Sequence, residues 1–525
     1  MRLAQAALSR AFSVAITLSC IANLVSMAPA MAGDAGPTDH DSAPPPAQDL
    51  LKIIDRDQAD RTAVQSFLVA PGHHMLWIDR DGLTAKGKQL IAVLQDANTY
   101  GLDASDFRIP TVGSGGSLSD DMIEEAEKTL AIAALKYARY ARGGRIADPA
   151  GQLNSNLDRR PQWIAPETTV ENLSKADDPG AFLVSLHPKH PQFDKLRALY
   201  VQALPKTGGP LSVSAKRLRA NMEMWRWMPD DMGEMHILNN IPEFMQRVYK
   251  DGQVIRAEKI VAGMIDKQTS IFSRPLKYVV LRPKWRVPES IKVNELWPSL
   301  IRGGGYMRQY DLQLETKDGT PVDYRKFDWR ITDVRNFEVT QASGPKSVLG
   351  RVKFSFPSQH TIFMHDTPDK WMFRNAERTH SHGCLRVWKP MELAEMILKE
   401  DKGWDKAKVA ELNQSGPLNN EIEITKRIPV HLTYFTAWVD DTGTLKTFRD
   451  VYRHERRVTQ ALDGAWDAIN KGRDHLAPVA VNFNPSAVAA RAQNRASLAG
   501  YAQRRAIQKE ATLGDIIGDA LGIGN

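Results

Sequence analysis

Residues 361–387 decide the fold and the chemistry of this chain, and they read TIFMHDTPDKWMFRNAERTHSHGCLRV. The first five are mainly β-branched or aromatic, which predicts a strand that ends at His365. An irregular loop then leads to Gly383, which allows a tight turn beside Cys384. The stretch therefore predicts a histidine and a thiol that meet at the end of a strand.

The residue types in this stretch suit nucleophilic catalysis. A thiol attacks a carbonyl carbon well only as the thiolate, so Cys384 is the predicted nucleophile and His365 its general base. Backbone N–H groups around His382 and Gly383 are predicted to form an oxyanion hole, and the His382 side chain to shape the site. Arg386 shares a face with Cys384 in an extended chain and is predicted to bind a substrate carboxylate. A structural ion pair is the alternative for Arg386.

The N-terminus has the pattern of a secretory signal peptide. Arg2 and Arg10 precede an apolar run, and the small residues of 28–32 fit a signal-peptidase site. We therefore expect a mature chain that starts near Gly33, lies in the periplasm or cell envelope and has no transmembrane span. A lipid anchor at Cys20 is the alternative.

Cysteine usage draws attention to the same stretch. The chain has 2 cysteines, and Cys20 leaves with the predicted leader. Cys384 would then be a lone thiol in an oxidising compartment, without an internal disulfide. Such a thiol is a liability unless chemistry requires it, although a buried inert cysteine is the alternative.

Composition sets broad limits on the function. With 525 residues, 42% hydrophobic and 25% charged, the chain is long enough for several globular domains. The net charge of +7 falls to +5 without Arg2 and Arg10 and suits an anionic envelope. No clustered basic and aromatic stripe indicates a nucleic-acid partner.

The predicted fold class is α+β and multidomain: a helical N-terminal scaffold, a β-rich catalytic domain built as a mixed-sheet sandwich with few helices, and a helical or disordered C-terminal tail. A polar segment with three consecutive glycines is predicted to be an insertion over the site, either a cap or a plain surface excursion. The predicted parts are a leader (1–32), a linker (33–48), the scaffold (49–215), the catalytic domain (216–455), its insertion (296–337) and a C-terminal extension (456–525).

Local patterns predict individual elements. Thr84 and Gly101 are the expected cap and stop of one scaffold helix, and a second helix is expected over 119–141. Pro390 is expected to open a helix with a buried apolar stripe. The predicted strands of the β-rich domain are 278–281, 352–356, 361–365 and 430–435.

The motif Ser381-His382-Gly383-Cys384, preceded by His365, resembles the signature of the L,D-transpeptidase (YkuD-like) family. Trp77, Tyr100-Gly101-Leu102-Asp103 and Gly144 to Pro149 resemble the N-terminal region of its long Gram-negative form. Further landmarks of that form are Asn221, Trp225 to Trp227, Asn240-Ile241-Pro242, Gln268-Thr269, Pro283 to Pro288, Leu349 to Phe354 and His365 to Pro368.

The resemblance implies a reaction and a substrate. Cys384 would attack the tetrapeptide stem of peptidoglycan, release D-alanine and pass the acyl group to an amine of a second stem or of an outer-membrane protein. It implies no metal and no cofactor, and it implies carbapenems as inhibitors. Residues 186–214 are too few for the peptidoglycan-binding module that long members carry, and the C-terminal extension has no recognised counterpart.

Two other functions compete with this one. His365, His380, His382 and Cys384 have the composition of a zinc site, which would make the chain an envelope peptidase. The turn expected at Gly383 argues against that ligand set. A non-catalytic wall-binding scaffold is the other alternative, and the intact pair of His365 and Cys384 argues against it.

Asp366 follows His365 directly and invites comparison with a catalytic triad. Consecutive side chains of a strand point to opposite faces, so the Asp366 carboxylate is poorly placed to orient the imidazole. We expect a backbone carbonyl to orient it instead. His360 is expected to be an ordinary turn residue.

Overall fold

The computed structural model describes residues 56–71, 74–112, 117–206, 208–478, 494 and 497. The predicted leader and linker, Cys20 and most of the C-terminal extension lie outside these residues. In the described part of the chain, every helix is too short or too polar to span a bilayer.

Helices dominate the N-terminal region. Ser and Thr side chains cap them as expected: Thr84 accepts a hydrogen bond from Gly87 N, and Ser119 from Met122 N. Gly101, with φ 70°, ends the turn that follows α2. The elements are α1 (Arg56–Leu68), β1 (Ile78–Asp79), β2 (Gly82–Leu83), α2 (Ala85–Gln95), α3 (Asp120–Gly143), α4 (Pro149–Gln152), α5 (Pro166–Lys175), α6 (Pro179–Ser185), α7 (Pro191–Gln202) and α8 (Val213–Arg226).

The remainder of the described chain is rich in strands. These are β3 (Met235–Asn240), β4 (Met245–Lys250), β5 (Gln253–Gly263), β6 (Ser273–Pro275), β7 (Tyr278–Leu281), β8 (Trp285–Arg286), β9 (Leu312–Glu315), β10 (Pro321–Val322), β11 (Glu338–Gln341), β12 (Val352–Ser355), β13 (Met364–His365), β14 (Thr379–Ser381), β15 (Leu385–Val387), β16 (Asn420–Glu423), β17 (Pro429–Thr433), β18 (Ala437–Val439) and β19 (Leu445–Thr447). The helices are α9 (Glu289–Ile291), α10 (Trp297–Ile301), α11 (Gly305–Gln309), α12 (Pro390–Lys402), α13 (Lys406–Ser415) and α14 (His454–Leu462).

One curled, mixed sheet organises this region, in the order β16-β7-β12-β13-β15-β5-β4-β3-β17-β6. The long strand β5 belongs to both halves, because its first part pairs with β4 and its second part with β15. β14 lies parallel to the end of β5. The α+β class, with a helical N-terminal region and a β-rich domain, is confirmed.

The sheet packs on helices from both sides of the predicted scaffold boundary. Phe193 of α7 and Trp225 of α8 are buried in the same hydrophobic core as the strands. Trp225 stacks on Phe435, with ring centroids 4.2 Å apart. The predicted opening of α12 at Pro390 is confirmed, and its buried stripe is Leu393, Ala394, Ile397 and Leu398.

Residues 285–341 form a compact cap with a hydrophobic core of its own. This core includes Val287, Trp297, Trp329 and Val339. The cap sheet has the order β10-β9-β11-β8. The cap therefore includes residues that precede 296, where the sequence predicts the insertion to begin.

The C-terminal extension contacts other parts of the protein in its described residues. α14 lies on α8, where Asp463 accepts a hydrogen bond from Lys216 at 2.6 Å. Further along, His475 contacts Ser155 at 2.8 Å and His360 at 2.7 Å. Up to residue 478, the extension is thus packed against the rest of the described chain.

Candidate active site

The short strand β13 is the centre of the candidate site. It pairs antiparallel with β12, which sets His365 opposite Lys353, and parallel with β15, which sets His365 opposite Arg386. Cys384 directly precedes β15 and lies two residues before Arg386, the partner of His365. The sheet register thus places the predicted base and nucleophile on two neighbouring segments of the sheet.

A backbone carbonyl orients the His365 ring. His365 Nδ1 lies 2.5 Å from the carbonyl oxygen of Asp366. A carbonyl can only accept, so Nδ1 carries the proton and Nε2 has the lone pair that a general base needs. This agrees with the expectation that the Asp366 carboxylate is not the orienting group.

The Asp366 carboxylate instead fixes the chain around it. It accepts hydrogen bonds from Arg351 N at 3.0 Å and Thr367 N at 2.7 Å, and it pairs with Lys370. Its role in the structure is to hold the turn before β12 against the residues that follow β13.

The environment of His365 favours its neutral form. The side chain is buried, and burial, together with the charge of Arg386, lowers the pKa of His365 to about 3. The Asp366 carbonyl opposes this shift because it stabilises the protonated ring. The ring is therefore neutral near pH 7 and able to accept a proton.

Thr361 departs from the predicted strand. It has a φ of 51°, a left-handed conformation that is strained for a β-branched residue, and β13 begins only at Met364. The Thr361 carbonyl faces the half-buried thiol of Cys384, with Sγ 3.9 Å from the oxygen. Strain here accompanies a contact with the predicted nucleophile.

The turn between β14 and β15 is held from within by Ser381. Ser381 Oγ accepts a hydrogen bond from Gly383 N at 3.2 Å and donates one to the Cys384 carbonyl at 2.6 Å. Gly383 has a φ of 117°, where a side chain would be strained. The turn predicted from this glycine is present.

Arg386 lies beside the site and is mostly buried. Its Nη1 is 2.6 Å from Met372 Sδ and 3.6 Å from the Asp369 carboxylate. Burial lowers the pKa of the Arg386 guanidinium, while Asp369, Cys384 and Tyr310 of the cap oppose the shift. The guanidinium is thus a positive charge close to Cys384, and its contact with Asp369 is of the kind expected for the alternative, a structural ion pair.

His382 joins the cap to the nucleophile turn. Its Nε2 lies 2.7 Å from Glu295 Oε1, which also accepts from Lys267 Nζ at 2.7 Å. These hydrogen bonds, first that of His382 and then that of Lys267, lower the pKa of Glu295 to about 2. The cap of residues 285–341 therefore contacts the turn that contains Cys384.

The other histidines have separate partners. His380 Nε2 lies 2.9 Å from Asn375 Nδ2, and His360 lies between Asp158 at 2.9 Å and His475 at 2.7 Å. His360 lies in a turn, as expected, and its ring also belongs to a polar cluster. Among the described residues, no group of three or more His, Cys, Asp or Glu side chains is arranged to hold a metal ion.

Sequence reasoning missed Glu295, which lies just before the predicted start of the insertion. It also assigned no role to Thr269 or Tyr452, although Thr269 is one of the family landmarks. Thr269 Oγ1 donates to the Gly383 carbonyl at 2.7 Å. No local pattern marks these residues, because their contacts join distant parts of the chain.

Two domain families account for much of the chain. The family model of the L,D-transpeptidase catalytic domain, YkuD, matches residues 234–409, which contain His365 and Cys384. This segment is therefore similar to the YkuD catalytic domain. The model of the Scaffold domain matches residues 62–199, within the helical region. Together they confirm the resemblance carried by the sequence motifs.

A curated relative agrees with this assignment. The "Putative L,D-transpeptidase" of Haemophilus influenzae is 29% identical over 262 residues, which are 49% of this chain and 51% of the relative. The match thus spans about half the length of that relative.

Two solved structures were also matched to parts of this chain. An L,D-transpeptidase from Mycobacterium smegmatis is 11% identical, with 38% of this chain and 58% of that chain covered and a TM-score of 0.17. The Ldtfm–avibactam carbamoyl enzyme is 12% identical, with 66% and 98% covered and a TM-score of 0.18. Because both scores are low, the family assignment rests on the domain models.

Proposed function

We propose that this chain is a peptidoglycan L,D-transpeptidase in which Cys384 is the nucleophile and His365 the general base. The observation that carries the proposal is the parallel register of β13 and β15, in which His365 pairs with Arg386, two residues after Cys384. The fixed tautomer of His365, whose Nδ1 faces the Asp366 carbonyl, leaves Nε2 for the thiol proton.

The first half-reaction forms the acyl-enzyme. As His365 Nε2 accepts the thiol proton, Cys384 Sγ bonds to the carbonyl carbon of the diamino acid in a tetrapeptide stem. The carbonyl oxygen becomes an oxyanion, which backbone N–H groups of the 382–384 turn stabilise. The C–N bond to D-alanine then breaks, and His365 returns the proton to the departing amine.

The second half-reaction transfers the acyl group. An acceptor amine gives a proton to His365 as its nitrogen bonds to the thioester carbon, and the C–S bond breaks. The proton then returns to the thiolate, which restores the resting enzyme. The acceptor is an amine either of a second stem, which gives a cross-link, or of an outer-membrane protein, which gives attachment to the wall.

Substrate binding is assigned to Arg386. Its positive charge lies on the same face as Cys384, so a carboxylate of the stem peptide is the proposed partner. The contact with Asp369, at 3.6 Å, is longer than a hydrogen bond and leaves the guanidinium able to accept a closer anion.

The cell envelope is the proposed location. The predicted leader would direct the chain there, and the wall is where its substrate lies. The mass of the mature protein, purified from an envelope fraction of a producing bacterium, tests this. A start near Gly33 supports export, and an intact N-terminus in the cytoplasm would contradict it.

The test of the activity is an assay of D-alanine release from a tetrapeptide-stem muropeptide, with cross-linked products identified by mass. The wild type is expected to release D-alanine, and Cys384→Ala is expected to lose this activity completely because no nucleophile remains. A folded wild type without release, or release that persists in Cys384→Ala, would refute the proposal. Adding an amine-bearing outer-membrane protein as competing acceptor separates the two acceptor classes.

A further inference from the structure

The peptide bond between Gly383 and Cys384 is held from beneath by a buried hydroxyl. Thr269 Oγ1 donates a hydrogen bond to the Gly383 carbonyl at 2.7 Å and accepts one from Gly263 N at 2.9 Å. The Thr269 side chain is fully buried. A buried hydroxyl with both a donor and an acceptor contact is fixed in direction.

Tyr452 fixes Thr269 in turn. Its hydroxyl donates to the Gly263 carbonyl at 2.5 Å and accepts from Thr269 N at 3.4 Å. Tyr452 is itself buried, and its backbone N donates to the hydroxyl of Tyr434 at 2.7 Å. Three segments distant in sequence therefore meet under the nucleophile turn.

The hydrogen bond from Thr269 to the Gly383 carbonyl also fixes the direction of the next N–H group, that of Cys384. A trans peptide is planar, and its C=O and N–H point in opposite directions. Because Thr269 fixes the Gly383 carbonyl toward the interior, the Cys384 N–H points the other way, away from Thr269. The φ of 117° at Gly383 permits this orientation.

The neighbouring N–H group is already used. Gly383 N donates to Ser381 Oγ at 3.2 Å, inside the turn. Of these two N–H groups, the one whose direction Thr269 sets is therefore that of Cys384.

We propose that Thr269, supported by Tyr452, is a positioning residue that aims the Cys384 N–H at the oxyanion of the acylation step. This deepens the function proposed above, because it assumes that Cys384 is acylated through a tetrahedral intermediate. Thr269 itself touches neither the substrate nor the thiol.

The experiment compares Thr269→Val and Thr269→Ser with the wild type in two reactions of Cys384. Acylation by p-nitrophenyl acetate passes through an oxyanion, whereas alkylation by iodoacetamide does not. Loss of one oxyanion donor lowers rates by about 100-fold or more, so this fall is expected for acylation of Thr269→Val. Thr269→Ser keeps the hydroxyl and is expected to restore most of the rate.

Alkylation of Thr269→Val should change by less than about twofold, because displacement at carbon develops no oxyanion. Thr433→Val is the matched control: Thr433 is equally buried and donates to the Asn239 carbonyl at 3.0 Å, in β17. Its acylation rate is expected to equal that of the wild type. If Thr269→Val does not fold, Tyr452→Phe is tested in its place. Its acylation rate is expected to fall, by a smaller factor, while its alkylation rate stays unchanged.

Equal acylation rates for wild type and the folded variant would overturn the proposal, and so would a parallel fall in alkylation. The ester probe separates this inference from the proposed function. Wild type that reacts with the ester but releases no D-alanine refutes the transpeptidase, while the Thr269 comparison still decides the positioning role. Wild type that neither reacts with the ester nor releases D-alanine overturns both the positioning role and the proposed function.

Discussion

His365 and His382 both precede Cys384 in the same stretch of chain, and their rings are held in opposite ways. His365 is buried in the centre of the sheet and its ring is fixed by a backbone carbonyl. His382 is about one-third exposed (35%) and pairs with a charged cap residue, Glu295. Neutral, buried contacts are insensitive to salt, whereas exposed ion pairs are screened by it. The comparison teaches that the base is built into the fold, while the contact with the cap is adjustable.

The largest expected effect is that of His365→Gln. Removing a general base costs about 100- to 10,000-fold in rate, and glutamine supplies no group that accepts the thiol proton near pH 7. The acylation rate, measured by D-alanine release, should fall within that range. His431→Gln is the matched control, since His431 is also buried, also has a pKa lowered by burial to about 3, and contacts Ser273 instead of the site. If His365→Gln releases D-alanine at the wild-type rate, His365 is not the base, and its contrast with His382 is lost.

A smaller effect is expected from Glu295→Gln, which removes the charge that joins the cap to His382 and Lys267. Partly exposed ion pairs contribute about 0.2–1 kcal/mol, so the loss should be no more than about fivefold and should appear mainly in KM. The difference from wild type should shrink at high salt because the pair is then screened.

Asp323→Asn is the control for the cap. Asp323 also belongs to an ion pair there, but its partner is the neighbouring Arg325 on the exposed surface. No change in KM is expected. A loss in kcat of Glu295→Gln as deep as that of His365→Gln would mean that the cap contact belongs to the chemistry itself.

The smallest effect is expected on lowering the pH from 7 to 5. An unperturbed histidine would become protonated over this range, but burial and the charge of Arg386 lower the pKa of His365 to about 3. The base therefore stays neutral, and the profile of kcat/KM should show no inflection near pH 6.5. A decrease in kcat/KM with a midpoint near pH 6.5 that is absent only from His365→Gln would contradict the burial argument.

The same shift has the opposite consequence for folding. In the unfolded chain His365 binds a proton below about pH 6.5, whereas the folded chain binds it only near pH 3. The stability due to its neutral state is thus complete above pH 6.5 and is lost as the pH falls toward 3. The urea midpoint should decrease between pH 7 and pH 5, and less so in His365→Gln.

Local chemistry made part of this site predictable. His365, Gly383 and Cys384 lie in one short stretch, and the turn at Gly383 and the end of a strand at His365 follow from the residue types there. The stripe of α12 and the bounds of β7 were equally readable, because each depends on the periodicity of adjacent residues.

Contacts between distant residues were not predictable in this way. The left-handed conformation of Thr361 contradicts its β-branched type, because packing around the nucleophile turn overrides local preference. Glu295 and Thr269 act through partners 87 and 114 residues away, and no spacing rule marks either one.

The most direct test of the account is to locate the acyl group. Wild type is incubated with a carbapenem, digested and sequenced by tandem mass spectrometry. The account predicts one covalent adduct, on the peptide that contains Cys384, formed far more slowly in His365→Gln. An adduct on any other residue, or an equal rate of formation without His365, would contradict it.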